Sequence, residues 1–149
     1  MSEQKSTPAE WQHANWVSQL GKWAWLWGLI SGLIDVIWGF VIIATFAAIP
    51  YGFGVIGMGP GIWLVISGII AILISFAIIR PKVSVKCAQK DWDHFYNWVW
   101  KLGSFRFPFV LFWGILLEVF GYGWGGLPVI IVGIMLLFVG PKKYEWSEK

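Results

Sequence analysis

The chain has 149 residues, of which 58% are apolar and only 13% charged, with a formal net charge of +3. Soluble domains carry roughly 25% charged residues, so the composition argues against a water-soluble core, and the small positive balance makes no case for nucleic-acid binding. The charges are also segregated: across residues 23–79 the only one is Asp35, and across 107–141 the only one is Glu118.

The expected fold class is an all-α integral membrane protein, with four transmembrane helices forming two hairpins and amphipathic interfacial helices on the cytoplasmic side. One membrane domain is expected to cover 1–149. Residues 1–22 begin polar and lead into Trp16, Leu20, Trp23 and Trp27 at helical spacing, which reads as an interfacial helix at headgroup level. Residues 23–79 form the first predicted hairpin. Its first span covers 23–49 and ends at Pro50, a glycine-rich, charge-free loop follows over 51–60, and the second span covers 61–79. That span starts just after Pro60 and stops at Arg80, Pro81 and Lys82. The loop spells GxGxxG over 52–57, but no strand precedes it, so it reads as an outer turn and not as a dinucleotide site.

Residues 80–106 turn polar and basic. Lys86, Lys90, Asp93, Asn97 and Lys101 fall on one helical stripe, while Trp92, Phe95, Val99 and Leu102 fall on another. This split predicts an amphipathic helix lying on the membrane surface, with Gly103 as its stop. The second predicted hairpin, 107–140, has spans over 107–120 and 127–139 joined by a glycine and aromatic turn. Pro128 opens its last helix, and Gly140 and Pro141 close it. At 1.5 Å per residue these two spans reach only about 20 Å against a hydrocarbon core of roughly 30 Å. Their ends extend through the loop, the bilayer thins, or the pair is a re-entrant hairpin buried in protein. Residues 141–149 form a tail.

Orientation follows from the cations. All 11 Lys and Arg residues lie in the N-terminal, middle and C-terminal stretches, and the two predicted outer loops carry none. The positive-inside rule then predicts a multi-pass protein of the cell membrane with both termini cytoplasmic and its basic face against anionic lipids.

In the first span Gly28, Gly32, Asp35 and Gly39 recur at i, i+4, i+7 and i+11, on one helix face. Ser67, Ala71 and Ser75 make a comparable stripe in the second span, and Gly114, Glu118 and Gly121 another in the third. Small residues let helix backbones approach closely, so these stripes are the predicted packing faces, and both acids point into protein. Asp35 and Glu118 are the candidate intramembrane polar site, because an acid in hydrocarbon costs at least about 2.5 kcal/mol on insertion scales. Three readings are open: neutral acids hydrogen-bonded within the bundle, acids paired with a cation of a partner subunit, or a proton or cation site.

The remaining chemistry is sparse. His13 and His94 both lie in polar stretches, so no metal or haem site and no cofactor is expected. Cys87 reads as an inert loop thiol, His94 as a surface residue, and no nucleophile has a nearby base, so no enzyme is expected. Of the 13 Trp residues, most fall at predicted interfaces, while Trp38 and Trp113 lie deep and call for a packing or functional explanation. The expected function is a non-catalytic accessory or scaffold subunit of a membrane complex, homo- or hetero-oligomeric, packing against its partners through these glycine-rich helix faces. The alternative is a small oligomeric proton or cation channel or transporter using Asp35 and Glu118.

Overall fold

A computed structural model describes residues 11–49 and 53–147. The polar extreme N-terminus, the predicted stop at Pro50, the start of the turn at Tyr51 and Gly52, and the last two residues lie outside the described residues. The chain is mostly helical, at 75%. Two helices are long and apolar enough to cross a membrane, Ala14–Ala47 with 34 residues and Gly54–Ala88 with 35.

Helix α1 (Ala14–Ala47) runs without a break from the predicted interfacial segment through the first span. Its buried stripe includes Ser18, Gly21, Ala24, Gly28, Ser31, Gly32, Asp35 and Gly39, so small residues face inward. The large apolar side chains face outward, among them Ile37, Trp38 and Phe40. Trp38 therefore has no buried packing role, whereas Trp113 rests on the core.

Helix α2 (Phe53–Ile74) begins earlier than the glycine and proline punctuation predicted, and Pro60 lies inside it. The predicted loop over 53–60 is therefore helical. Pro60 lacks an N–H, and as the eighth residue of α2 it removes one backbone hydrogen bond, the one to the Ile56 carbonyl, in the third turn. Nor does the helix stop at Arg80. It continues as a π-helical segment, Ser75–Ser84, with Pro81 inside, and then as α3 (Val85–Ala88). The wider i to i+5 register, seen where the Val85 N–H donates to the Arg80 carbonyl, accommodates a proline ring that would crowd the carbonyl four residues back.

The predicted continuous surface helix over 80–106 is absent. Lys90 takes φ +54 and ends α3, α4 (Trp92–Asn97) is a short helix capped by the Asp91 carboxylate, and an antiparallel hairpin follows. Its strands are β1 (Val99–Leu102) and β2 (Phe105–Pro108), with Leu102 opposite Phe105 and Val99 opposite Pro108. Gly103, at φ +63, opens the two-residue Gly-Ser turn, a conformation glycine adopts without strain and hairpins favour. The C-terminal segment adds to this hairpin: the Arg106 N–H donates to the Trp146 carbonyl over 2.9 Å, and Phe105 bridges Ser147.

Helices α5 (Phe109–Phe120) and α6 (Leu127–Val139) have 12 and 13 residues, too short to match the first pair. The core sits where these short helices meet the lower halves of α1 and the α2–α3 helix, around Ala24, Ile79, Val83, Val110, Leu117 and Val132.

Candidate functional site

Close approach of α1 to the long second helix rests on reciprocal glycines. A Cβ at Gly32 would lie 2.7 Å from the Gly68 carbonyl oxygen, and one at Gly68 would lie 2.6 Å from that of Gly32. Gly39 and Gly61 stand in the same relation at 2.6 and 2.8 Å. Gly28 abuts the Ser75 hydroxyl and Leu117, so it touches the second hairpin as well. Ala71 and Ser67 are buried on the same helix.

Asp35 lies on this interface between Gly32 and Gly39 and is only 3% exposed. Its Oδ2 has no hydrogen-bond partner among the described residues. Ser31 donates to the Gly28 carbonyl over 2.9 Å and Ser67 to the Leu64 carbonyl over 3.1 Å, and neither hydroxyl exchanges a hydrogen bond with Asp35. Ser75 Oγ is buried and also unpartnered, so the hydrogen bond within the bundle expected of a neutral Asp35 is not formed among the described residues.

Glu118 is placed differently. The Gly126 backbone N–H donates to its Oε2 over 2.9 Å, across the turn that joins α5 to α6. The same turn is tied to α1, where the Trp27 indole N–H donates to the Trp124 carbonyl over 2.9 Å, and the two rings meet edge to face with centroids 5.6 Å apart. Gly121 and Gly125 close on Ser31. Further along, Gly114 accommodates Ile130 at the α5–α6 contact, where a Cβ would come within 2.8 Å. The turn is thus anchored to α1 at Trp27–Ser31, and no hydrogen bond among the described residues joins the two acids.

Beyond Ser31 about 24 Å of α1 continue, at 1.5 Å per residue. The second hairpin is therefore only half as tall as the first. The turn carries Tyr122 at φ +52 and 69% exposed, and Gly123 at φ +82.

The opposite end of the bundle gathers the charges. The Trp11 indole donates to the Val139 carbonyl over 2.6 Å, and Lys90 Nζ to Asn15 Oδ1 over 2.7 Å, so both ends of the described chain and the middle segment share that end. Lys86 pairs with Asp91 at 3.0 Å and Lys142 with Asp93. The Lys86 ammonium hydrogen bond holds the Asp91 carboxyl below the usual carboxylate range. Arg80 stacks over Trp25 and Phe76 at 5.0 and 4.9 Å.

His94 is not the surface residue that the helical stripe predicted. Its ring stacks on Trp98 with centroids 5.6 Å apart, and its Nε2 is buried without a partner. Burial holds its pKa below the ordinary value, with the Lys86 charge acting in the same direction. Cys87, predicted in a loop, is a fully buried helical residue.

Nothing in the sequence pattern had pointed to a cleft of about 450 Å³ at this end, walled by α4, β2 and the C-terminal segment. Tyr96, Asn97, Arg106 and Lys143 line it. Their wide separation along the chain left no local signal. The Gly-Ser step between alternating aromatic and polar residues was the one available hint of the hairpin that supplies Arg106.

Among the described residues no group of three or more His, Cys, Asp or Glu side chains could hold a metal ion. The chain matches no family model, and no curated protein or solved structure resembles it at a significant level.

Proposed function

We propose that this protein is a non-catalytic integral membrane protein, an accessory or scaffold subunit that covers and is covered by other membrane helices. In this reading α1 and the long α2–α3 helix cross the bilayer, and α5–α6 is a re-entrant hairpin. Outward-facing Ile, Leu, Phe and Trp over small inward residues is the arrangement expected where the solvent is lipid. In water so large an exposed apolar surface would drive association. The charged end lies on the cytoplasmic side by the positive-inside rule, with both termini there.

One observation carries the subunit reading: the α5–α6 turn stops at Ser31. Lys22 and Arg80 mark the hydrocarbon edge, and Ser31 lies about 13 Å past Lys22 along the helix. The turn then sits inside the nearer leaflet. Irregular backbone at that depth is tolerated only where protein covers it or water fills a cavity. Glu118 and Trp27 satisfy two of its groups from within the chain, but the Tyr122 side is open. A helix of another subunit is the cover this geometry calls for. The intrachain glycine contacts are already filled, so that partner meets the outward apolar faces beyond Ser31.

The test is purification from native membranes in mild detergent. A larger particle with a reproducible second component, or a defined oligomer of this chain, is expected; a monodisperse monomer overturns the proposal. A cysteine replacing exposed Leu127 beside the turn should resist a membrane-impermeant thiol reagent from the far side. Labelling from that side would mean the second hairpin crosses.

The second reading is an oligomeric proton or cation channel or transporter using Asp35 and Glu118. The orphaned, buried Oδ2 of Asp35 favours it, since such acids commonly mark ion paths. Glu118, bonded to the turn, favours a structural role instead. Equal flux in proteoliposomes of wild type, Asp35→Asn and Glu118→Gln removes this reading.

A further inference from the structure

The cleft at the charged end has chemistry of its own. Arg106 Nη2 donates to the Tyr96 carbonyl over 3.2 Å, while its Nε is buried with no protein partner. The Tyr96 hydroxyl sits between the carbonyl oxygens of Leu136 and Lys142, at 2.8 and 2.9 Å, and donates to one at a time. The Tyr144 hydroxyl donates to the Arg106 carbonyl over 2.9 Å, so the Arg106 backbone is fixed from two sides. The cation is thus held in place at the wall of the cleft. Guanidinium groups in such settings recognise phosphate oxygens.

Charge narrows the ligand. Lys142 is neutralised by Asp93, which leaves Arg106 and exposed Lys143 against Glu145 in the lining. That is one net positive charge, the complement of a single phosphodiester. Position narrows it further. Phe105 and Trp146, which flank Arg106 and Glu145 in sequence, stack with centroids 6.0 Å apart, and they are exposed together with Trp100 and Leu102. Exposed aromatic side chains in this density belong at the headgroup level of a bilayer.

We infer that this cleft binds the phosphodiester of an anionic phospholipid from the leaflet on the charged side, with Arg106 and Lys143 as the phosphate contacts. The inference rests on the membrane reading above and adds to it a specific lipid site. A lipid bound there would tie α4, the hairpin and the C-terminal segment to the leaflet surface and set the depth at which α5–α6 enters.

The test uses the full chain in detergent, scored by native mass spectrometry of retained lipid, with phosphatidylglycerol, phosphatidylcholine and inorganic phosphate as probes. Phosphatidylglycerol should be retained about tenfold over phosphatidylcholine, and Arg106→Gln should remove most of that preference. Because Arg106 also braces Tyr96, Lys143→Gln is the second variant: its side chain is exposed, so folding is kept and a several-fold loss is expected. Unchanged preference in both variants overturns the site. Displacement of phosphatidylglycerol by equimolar inorganic phosphate overturns the lipid assignment in favour of a soluble anion. A chain that stays monodisperse without detergent or lipid defeats the membrane reading instead, a result distinguishable from the other two.

Discussion

Replacing Gly32 by Ala tests whether the α1–α2 interface is held by backbone contact. A Cβ at this position would lie 2.7 Å from the Gly68 carbonyl oxygen, 2.8 Å from Ile72 Cγ1 and 3.1 Å from the Ile72 backbone nitrogen. Two of the three obstacles are backbone, so no rotamer change relieves them. To reach ordinary contact near 3.4 Å the helices must separate by about 0.7 Å, which also strips packing from Gly39 and Gly61. Overpacking of this kind costs about 1–3 kcal/mol, and the better helix propensity of Ala returns about 0.5–1 kcal/mol. The net expectation is a loss of roughly 1–2 kcal/mol. Gly59 is the internal control, because nothing lies within 4 Å of its Cβ position; Gly59→Ala should be neutral or slightly stabilising. The assay is reversible unfolding in mixed micelles with increasing denaturing detergent, comparing midpoints of wild type and both variants. If Gly32→Ala unfolds at the same midpoint as Gly59→Ala, or later, the backbone-contact argument is refuted.

Three further outcomes are expected. Glu118→Gln should keep nearly full stability, since its amide oxygen can still accept from Gly126, whereas Glu118→Ala leaves that N–H unsatisfied and should cost about 1–3 kcal/mol in the same assay; equal stability of the two variants would detach Glu118 from the turn. Gly103→Ala meets no neighbouring atom, so its cost should be the left-handed backbone strain alone, about 1–2 kcal/mol, read as earlier proteolysis at the hairpin. His94 has a folded pKa held low by burial, so its contribution to stability is fully present above its ordinary value near 6.5 and is lost as pH falls through the folded value. Thermal melts at successively lower pH should show a loss in the acidic range that His94→Phe flattens, and an unchanged slope in that variant would place the effect elsewhere.

Much of the helical outline was readable because apolar runs and terminus chemistry are local. The last helix runs Leu127–Val139 with Pro128 in its first turn and Gly140 as its cap, and α5 ends at Phe120, both at the boundaries their glycines and proline marked. The errors cluster where tertiary packing overrode local signals. Local chemistry puts a helix start just after Pro60 and a stop at Pro81, yet both prolines lie within helix, Pro81 in a π-register that makes room for its ring. The stripes over 80–106 have helical period, yet Lys90 and the Gly103 turn divide them into a short helix and a hairpin. A period of 3.6 and a period of 2 are hard to separate over so few residues.

What the residues alone determined is the inside-out pattern: small residues and one acid on a shared face of α1, large apolar ones elsewhere, and every cation outside the long apolar runs. Spacing along a helix dictates which side chains share a face, and that is settled by 3.6 residues per turn. Which partner each face meets was decided only in three dimensions. The pairing of Gly32 with Gly68 and the orphaned oxygen of Asp35 depend on the register of α1 against α2, and the halt of the second hairpin at Ser31 and the cleft around Arg106 depend on the relative height of the two hairpins. No local pattern encodes that height, because it comes from how Leu117, Val132 and Cys87 fit against Gly28 and Gly21.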